Sequence, residues 1–340
     1  MAASDVFTRQ ADTFRSELLA YCYRMLGSAD DAEDLVQETY LRAWRSYEGF
    51  EGRSSLRTWL YRIATNACLT AIGRRGSRPL PSGLGAPVDG PLSAVPAQLD
   101  DVPWLTPLPD ALLGEAAVDP AAIAGRRDSL RLALVAAWQF LPPRQRAVLI
   151  LRDVLDWPAA EVAGLLGMTT TAVNSALRRA RARLAERAPA ETDVSPPSEQ
   201  PVRELLDRYV AAFERADVTE LARLLREDAV LEMPPLPVWL RGRSNVARFF
   251  AMHVITEPNL YKMVHTAANG QPALAAYRLA ADGRFDAHAI QVLTVSDARI
   301  GRIVTFLDPA LFGKFGLPAA YEPAEALPDD DLAGSPPGRS

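Results

Sequence analysis

Nine prolines fall between Pro79 and Gly125, and no helical or strand period survives among them. A proline inside a helix removes a hydrogen bond and clashes with the preceding turn. The stretch therefore divides the 340-residue chain into folded parts on either side of it. It reads as an extended linker without secondary structure of its own, with one adhesive element, Pro103-Trp104-Leu105, expected to dock on a surface. It carries Asp89, Asp100, Asp101, Asp110, Glu115 and Asp119 and no base.

The flanking segments have the opposite charge. Arg53, Arg57, Arg62, Arg74, Arg75 and Arg78 stand together without an acid, and Arg178, Arg179, Arg181, Arg183 and Arg187 stand against Glu186 alone. Local basic patches of this kind suit phosphate. The net charge of the whole chain is −5, which argues against tight, autonomous DNA binding and fits a protein that touches DNA within a larger assembly.

Residues 5–78 read as a helical domain. Phe7, Phe14, Leu18, Tyr21, Cys22 and Met25 keep a helical spacing that Gly27 ends. Ser28 or Asp30 caps a second helix running to about Tyr47. On it Ala32, Leu35, Val36, Tyr40, Ala43 and Trp44 face inward, while Asp34, Gln37 and Glu38 share an outer face. Ser54 or Ser55 caps a third helix to about Ile72, with Leu56, Leu60, Ile63, Ala64, Ala67 and Ala71 inward. Residues 126–188 are helical again. Leu130, Leu134, Trp138 and Leu141 form a stripe, Pro142-Pro143 opens a helix, and a short helix from Pro158 to Leu166 ends at Gly167. Thr169 caps an arginine-rich last helix. A helix, a short turn containing glycine and a second helix form a helix-turn-helix pattern.

After a polar stretch at 189–200 the period changes. Residues 201–320 begin with helices at 202–216 and 218–226. Strand-like runs follow at 229–233, 261–268, 273–279, 287–295 and 300–306, with a helix near 245–253. Helices followed by a run of antiparallel strands point to an α+β domain with a curved sheet. Residues 321–340, acidic and proline-rich, read as a disordered tail. No apolar run reaches membrane-spanning length, and the N-terminus has neither a basic start nor an apolar core, so the expected compartment is the cytoplasm. Cys22 and Cys68 sit in apolar helical patterns and read as small buried hydrophobes. The three histidines show no metal-ligand spacing; neither metal nor cofactor is expected.

Three stretches resemble the extracytoplasmic-function (ECF) group of σ70-family RNA polymerase sigma factors. They are Asp31-Ala-Glu-Asp-Leu-Val-Gln-Glu-Thr-Tyr-Leu-Arg-Ala-Trp44, then Phe50 through Trp59-Leu-Tyr-Arg-Ile-Ala-Thr-Asn66, then Leu141-Pro-Pro-Arg-Gln-Arg-Ala-Val148 with Ala160 to Gly167 and Asn174-Ser-Ala-Leu-Arg-Arg-Ala-Arg181. The long linker and the C-terminal pattern look like the sigma-G or sigma-J type, which ends in a SnoaL-like domain. The resemblance implies a multidomain fold: all-α sigma region 2 (5–78) and region 4 (126–188), the acidic linker (79–125), and an α+β SnoaL-like cone (201–320). It implies core RNA polymerase as partner, through the β′ clamp helices and the β subunit, together with promoter DNA and no membrane.

Under that resemblance Asp34, Gln37 and Glu38 meet the clamp helices. Phe50, Arg53, Ser54, Ser55, Arg62, Thr65 and Asn66 serve the −10 element, the last three with Thr70 on an outer helix face. Melting DNA needs a pocket for an unstacked base and cations for phosphates. Trp59 and Tyr61 offer rings for stacking, although the spacing of Trp59 with Leu56 and Ile63 favours the core. Thr170, Thr171, Asn174, Ser175 and Arg178 face the −35 element, where Asn and Arg make bidentate contacts to adenine and guanine. Arg179, Arg181 and Arg183 position on phosphate. The linker is expected in the active-site cleft and RNA exit path. Trp104 and Asp308 stand where this type places a regulatory contact.

Some SnoaL-like relatives are cyclases or isomerases with a His/Asp pair. The candidates here are His253, His265, His288, Asp286 and Asp308, with Trp239, Arg241 and Arg243 expected at the rim of the pocket that the resemblance implies, where a small-molecule ligand is a candidate partner. The main expectation is a sigma factor, not an enzyme, modulated in cis by its C-terminal domain. The alternative is a SnoaL-like cyclase or isomerase fused to a DNA-targeting module. A free-standing helix-turn-helix repressor is disfavoured by the net charge.

Overall fold

Ser28, Ser55 and Thr169 set the starts of the three helices that matter most. A computed structural model describes residues 7, 9–49, 54–88, 90, 94–114, 129–186 and 199–321. The N-terminal part holds α1 (Arg15–Leu26), α2 (Ala29–Ser46) and α3 (Leu56–Arg75). Gly27 ends α1 in the left-handed region, φ 69°, and its N–H donates to the Tyr23 carbonyl. Ser28 Oγ accepts from Asp31 N, and Ser55 Oγ accepts from Thr58 N, so these two residues and not Asp30 or Ser54 do the capping.

The second helical part contains α4 (Leu132–Gln139), α5 (Pro143–Leu149), a π-helical turn over Ile150–Val154, α6 (Ala159–Leu166) and α7 (Thr170–Ala185). Pro143 stands in the first turn of α5, where its missing N–H costs nothing. Gly167, φ 63°, ends α6, and Thr169 Oγ1 accepts from Ala172 N to start α7.

The C-terminal part opens with α8 (Glu199–Glu214) and α9 (Val218–Leu224). Its strands are β1 (Leu225–Glu232), β2 (Trp239–Arg241), β3 (Tyr261–Ala268), β4 (Gln271–Leu279), β5 (Phe285–Ser296), β6 (Arg299–Phe306) and β7 (Ala320–Tyr321). Helix α10 (Arg243–Phe249) separates β2 from β3, and α11 (Leu311–Lys314) follows β6. The order is β2-β1-β6-β5-β4-β3, with β7 on β5. Not all pairs are antiparallel: β1 runs parallel to β6, with Leu231 opposite Ile303. The hairpin logic behind the antiparallel expectation covers strands joined by short turns, and β1 reaches β6 only after four intervening strands.

Strand alternation buries both faces of this sheet. Leu274, Ala276, Leu293 and Ile303 join α8, α9 and α10 in one apolar core. Ala273, Ala275, Tyr277, Val292 and Phe306 belong to a second core that runs on through both helical parts. The helical parts also pack on each other. Tyr61 of α3 meets Trp157 at 5.0 Å between ring centroids, and Arg57 lies over both rings. Arg146, 1 % exposed, donates to the carbonyls of Gln139 (2.8 Å) and Leu141 (3.3 Å) and, across the boundary, to that of Met25. Burial pushes its guanidinium down to about 10.

The linker is held at more points than Trp104-Leu105. Leu80, Leu105 and Leu108 are buried, and short 3-10 turns form at Pro81–Gly83 and Asp110–Leu113. Ser82 N donates to the buried Glu232 carboxylate (2.9 Å), Trp239 Nε1 to Gly85 O (2.8 Å), Val88 N to Trp239 O (2.9 Å) and Leu99 N to Pro235 O (3.0 Å).

The β3–β4 hairpin closes the arrangement. Asn269 and Gly270 both have positive φ, the two-residue turn that an Asn-Gly pair favours. Asn269 is fully buried. Its Nδ2 donates to Tyr23 Oη (2.8 Å) and to Leu130 O (2.8 Å), and its Oδ1 accepts from Leu108 N (2.9 Å). Gln271 Oε1 accepts from Leu132 N. One turn thus binds α1, the linker and the entry to α4.

Candidate nucleic-acid interface

Helix α2 presents the acidic face. Asp34 and Gln37 are exposed; Glu38 is half-exposed and accepts from Arg42 at 2.5 Å. Leu41 (55 %) and Trp44 (54 %) are exposed beside them. The expectation that Trp44 faces inward is therefore corrected. Each residue turns the helix by about 100°, so Trp44 lies a full step round from the buried Ala43. The face is mixed, acids and amide flanked by a large indole, and sequence reasoning missed its apolar half.

On α3, Arg62, Asn66 and Thr70 form an exposed row, and Thr70 Oγ1 donates to Asn66 O. Thr65 does not join them. It is fully buried, with Oγ1 bonded to Tyr21 Oη at 2.7 Å and to Tyr61 O. Tyr61 is also fully buried, so it offers no ring for base stacking, while Trp59 packs against the core as its spacing indicates. Burial pushes the hydroxyls of Tyr21 and Tyr61 well up. Ser54 is half-buried and Ser55 exposed at the helix start. Phe50 and Arg53 lie outside the described residues. Arg62 Nη2 reaches the Gly164 carbonyl of α6 at 3.5 Å, so the α3 row adjoins the helix-turn-helix.

Helix α7 buries Val173, Ala176, Leu177 and Ala180 and exposes Thr170, Thr171, Asn174, Arg178 and Arg179, with Ser175 half-buried. Arg181 forms a two-point pair with Asp153, at 2.9 and 2.7 Å. A phosphate would have to compete for that guanidinium, whereas Arg178 and Arg179 form no side-chain bond to a described residue.

Trp104 is 9 % exposed; its Nε1 donates to Leu99 O, and its carbonyl accepts from Arg78. Arg78 also donates to Asp31 (2.6 Å), as does Arg75. Burial alone would raise the Asp31 carboxyl, but these two guanidinia outweigh it and hold it below the usual carboxylate range. Asp308 is exposed, and its carboxylate accepts from Ala310 N ahead of α11. Contact with the N-terminal part comes from a neighbour, Lys314, which pairs with Asp30, while Phe312 packs on Tyr277 of β4 within the core that the C-terminal and helical parts share.

The C-terminal part encloses a cavity of about 170 Å³. Met233 and Leu236 of the proline-rich turn line it; Trp239, Arg241 and Arg243 do not, and Trp239 holds the linker instead. His253 and His288 line it, but no hydrogen bond joins His288 to the exposed Asp286. His265 pairs with Asp207 on the surface at 3.3 Å, outside the lining. Among the described residues no acidic, cysteine and histidine side chains cluster to hold a metal, and no helix is long and apolar enough to cross a membrane.

Family models match the chain in three places: Sigma-70 region 2 at residues 11–78, Sigma-70 region 4 at 131–184 and a SnoaL-like domain at 206–304. The chain is 49 % identical over 314 residues to a Mycobacterium tuberculosis protein named ECF RNA polymerase sigma factor SigG, covering 92 % of this chain and 84 % of that one. It is 29 % identical to the ECF RNA polymerase sigma factor SigJ of the same species, over 88 % of this chain and 91 % of that one. The crystal structure of M. tuberculosis SigJ superposes with a TM-score of 0.59 at 22 % identity, over 92 % of this chain and 99 % of that one, so the three-part fold is shared.

Proposed function

The chain belongs to the ECF sigma factors of the sigma-70 family, and we propose that it binds core RNA polymerase and promoter DNA through three faces and is restrained in cis by its SnoaL-like domain. Asp34, Gln37 and Glu38 meet the basic clamp helices of β′, with Leu41 and Trp44 adding apolar contact. Arg62 and Asn66, with Ser54, Ser55, Phe50 and Arg53, serve the −10 element. Thr170, Thr171, Asn174, Ser175 and Arg178 read the −35 element from the N-terminal half of α7, while Arg179 and, once released from Asp153, Arg181 hold phosphate. The observation that carries this reading is that α2, α3 and α7 turn Asp34, Gln37, Arg62, Asn66, Thr170, Thr171, Asn174 and Arg178 outward while their other sides are buried.

The restraint rests on a second observation. The C-terminal domain grips the linker from Ser82 to Asp110 and, through Asn269, both helical regions. In this closed arrangement the linker is not free to enter a polymerase channel. A tethered domain needs little intrinsic affinity, because tethering supplies an effective concentration on the order of millimolar. The cavity gives the same domain a place for a small ligand that shifts the balance. No observation favours the cyclase alternative over this reading, since no carboxylate is among the residues lining the cavity.

Two measurements test the proposal. The double variant Asp34→Arg with Glu38→Arg should lose co-purification with core polymerase while keeping its fold, because both side chains point outward; undiminished co-purification sinks the clamp assignment. Transcript yield at saturating core enzyme should differ between the full chain and a chain ended near Ala190. Equal yields, shared by the Trp104→Ala and Asp308→Ala variants, sink the regulatory part.

A further inference from the structure

The cavity inside the C-terminal domain takes part of its wall from the linker, because Val95 lines it alongside Phe213, Phe249 and Tyr261. Two backbone bonds pin the chain to the domain on either side of Val95: Val88 N to Trp239 O and Leu99 N to Pro235 O. Val95 nevertheless keeps 44 % of its surface exposed.

The polar side chains of the lining include Arg278, Gln291, Thr305 and two histidines. Gln291 of β5 and Thr305 of β6 stand directly opposite in register. Tyr209 Oη donates to Gln291 Oε1 at 3.0 Å, which commits the amide oxygen and leaves Nε2 without a partner among the described residues. Thr305 Oγ1 is buried with no hydrogen-bond partner, and buried polar groups left in that condition are costly. Arg278 lines the cavity too, and its guanidinium forms no ion pair with a described residue, Asp286 opposite it in register included. Burial, and then the Arg278 charge, hold His288 below its usual range, so its ring is neutral near pH 7. No carboxylate is among the lining residues.

We propose that this cavity receives a small organic acid with an aromatic or branched apolar body, and that its occupancy tightens the linker on the C-terminal domain by covering Val95. The acid's carboxylate pairs with Arg278, and Gln291 Nε2 and Thr305 Oγ1 donate to its oxygens. The apolar body fills the aromatic side. A ligand that binds only the linker-docked form favours that form by mass action. The inference rests on the regulatory reading above for its consequence, but not for the binding itself.

Calorimetric titration of the full chain with 1-naphthoate and with 1-naphthylmethylammonium separates charge from apolar fit. The acid should bind, and the ammonium should bind at least roughly tenfold more weakly, since its charge meets Arg278 unpaired. Arg278→Gln should weaken the acid about tenfold and Thr305→Val about threefold, with unchanged far-UV circular dichroism showing that each variant is folded. Hydrogen exchange should slow at the Val88 and Leu99 amides when naphthoate is present, and Val95→Asp should abolish that slowing. No binding of the acid at millimolar concentration, or equal binding of both probes, overturns the ligand class. Unchanged exchange at Val88 and Leu99 overturns the coupling to the linker. Binding with slowed exchange, but equal transcript yield with and without residues 201–340, leaves this site standing and removes the regulatory reading instead.

Discussion

Helices α3 and α7 carry similar arginine-rich sequences and meet different fates. On α3, Arg57 pairs with Glu17 and stacks over Trp157, Arg62 reaches α6, and Arg75 joins Arg78 on Asp31. On α7, Arg178, Arg179 and Arg183 stay exposed with no side-chain bond to a described residue, and Arg181 alone is paired. A run of arginines therefore does not by itself mark a free nucleic-acid surface. What decides is whether the same chain offers carboxylates and aromatic rings within reach. Helix α7 keeps most of its charge out of ion pairs, and α3 spends part of its charge holding the domains together.

The largest way to break this contrast is Trp157→Ala. It removes a 3 % exposed indole from the contact with Tyr61 and Arg57 and should cost about 4 kcal/mol, in the range for large aromatic truncations in cores. A lower melting temperature and a larger radius of gyration by X-ray scattering are expected; an unchanged radius would mean that this contact does not hold the two helical regions together.

Asp31→Asn should cost about 3 kcal/mol, the low end for a broken buried pair, because Arg75 is 58 % exposed. The sign with pH follows from the lowered folded-state pKa of Asp31. Its stabilisation is complete above the ordinary aspartate value and is lost as pH falls through the lowered value. The gap in melting temperature between wild type and Asp31→Asn should therefore be wide at pH 6 and should close in strong acid. A gap that stayed constant would assign the loss to packing rather than charge.

Arg178→Ala sharpens the α7 side of the comparison. It should cost about 1–3 kcal/mol of discrimination at one base position of the −35 element, whereas Arg183→Ala should weaken all promoters about equally. Promoter-variant binding curves distinguish the two, and a uniform loss from both would make Arg178 a phosphate contact.

Local signals were legible in the sequence. The cap at Thr169, the stops at Gly27 and Gly167 and the strand Tyr261–Ala268 follow from residue type and spacing, while Ser28 and Ser55 were each one of two caps that residue type allowed. Thr65 was misplaced although its spacing was informative. Tyr61, Thr65, Cys68 and Ile72 form one buried stripe, and the hydroxyl obscured a residue that belongs to it. The exposure of Trp44 and the burial of Tyr61 depend on which neighbour covers each helix, and periodicity within a helix does not name its neighbour. The Asn269-Gly270 turn carried a hairpin signal, but nothing local to it indicated that its side chain would meet α1, the linker and α4 at once.

That meeting sets how the chain comes apart. Tyr23, Leu108 and Leu130 share the polar atoms of one buried asparagine, and the Tyr23 hydroxyl in turn donates to Thr106. Pulling any one segment away leaves a polar atom of Asn269 unmet while the other two hold the side chain in place, at about 1–3 kcal/mol for each buried donor or acceptor so left. Half-released forms are therefore poorly populated, and release follows a threshold, with the segments letting go together or not at all.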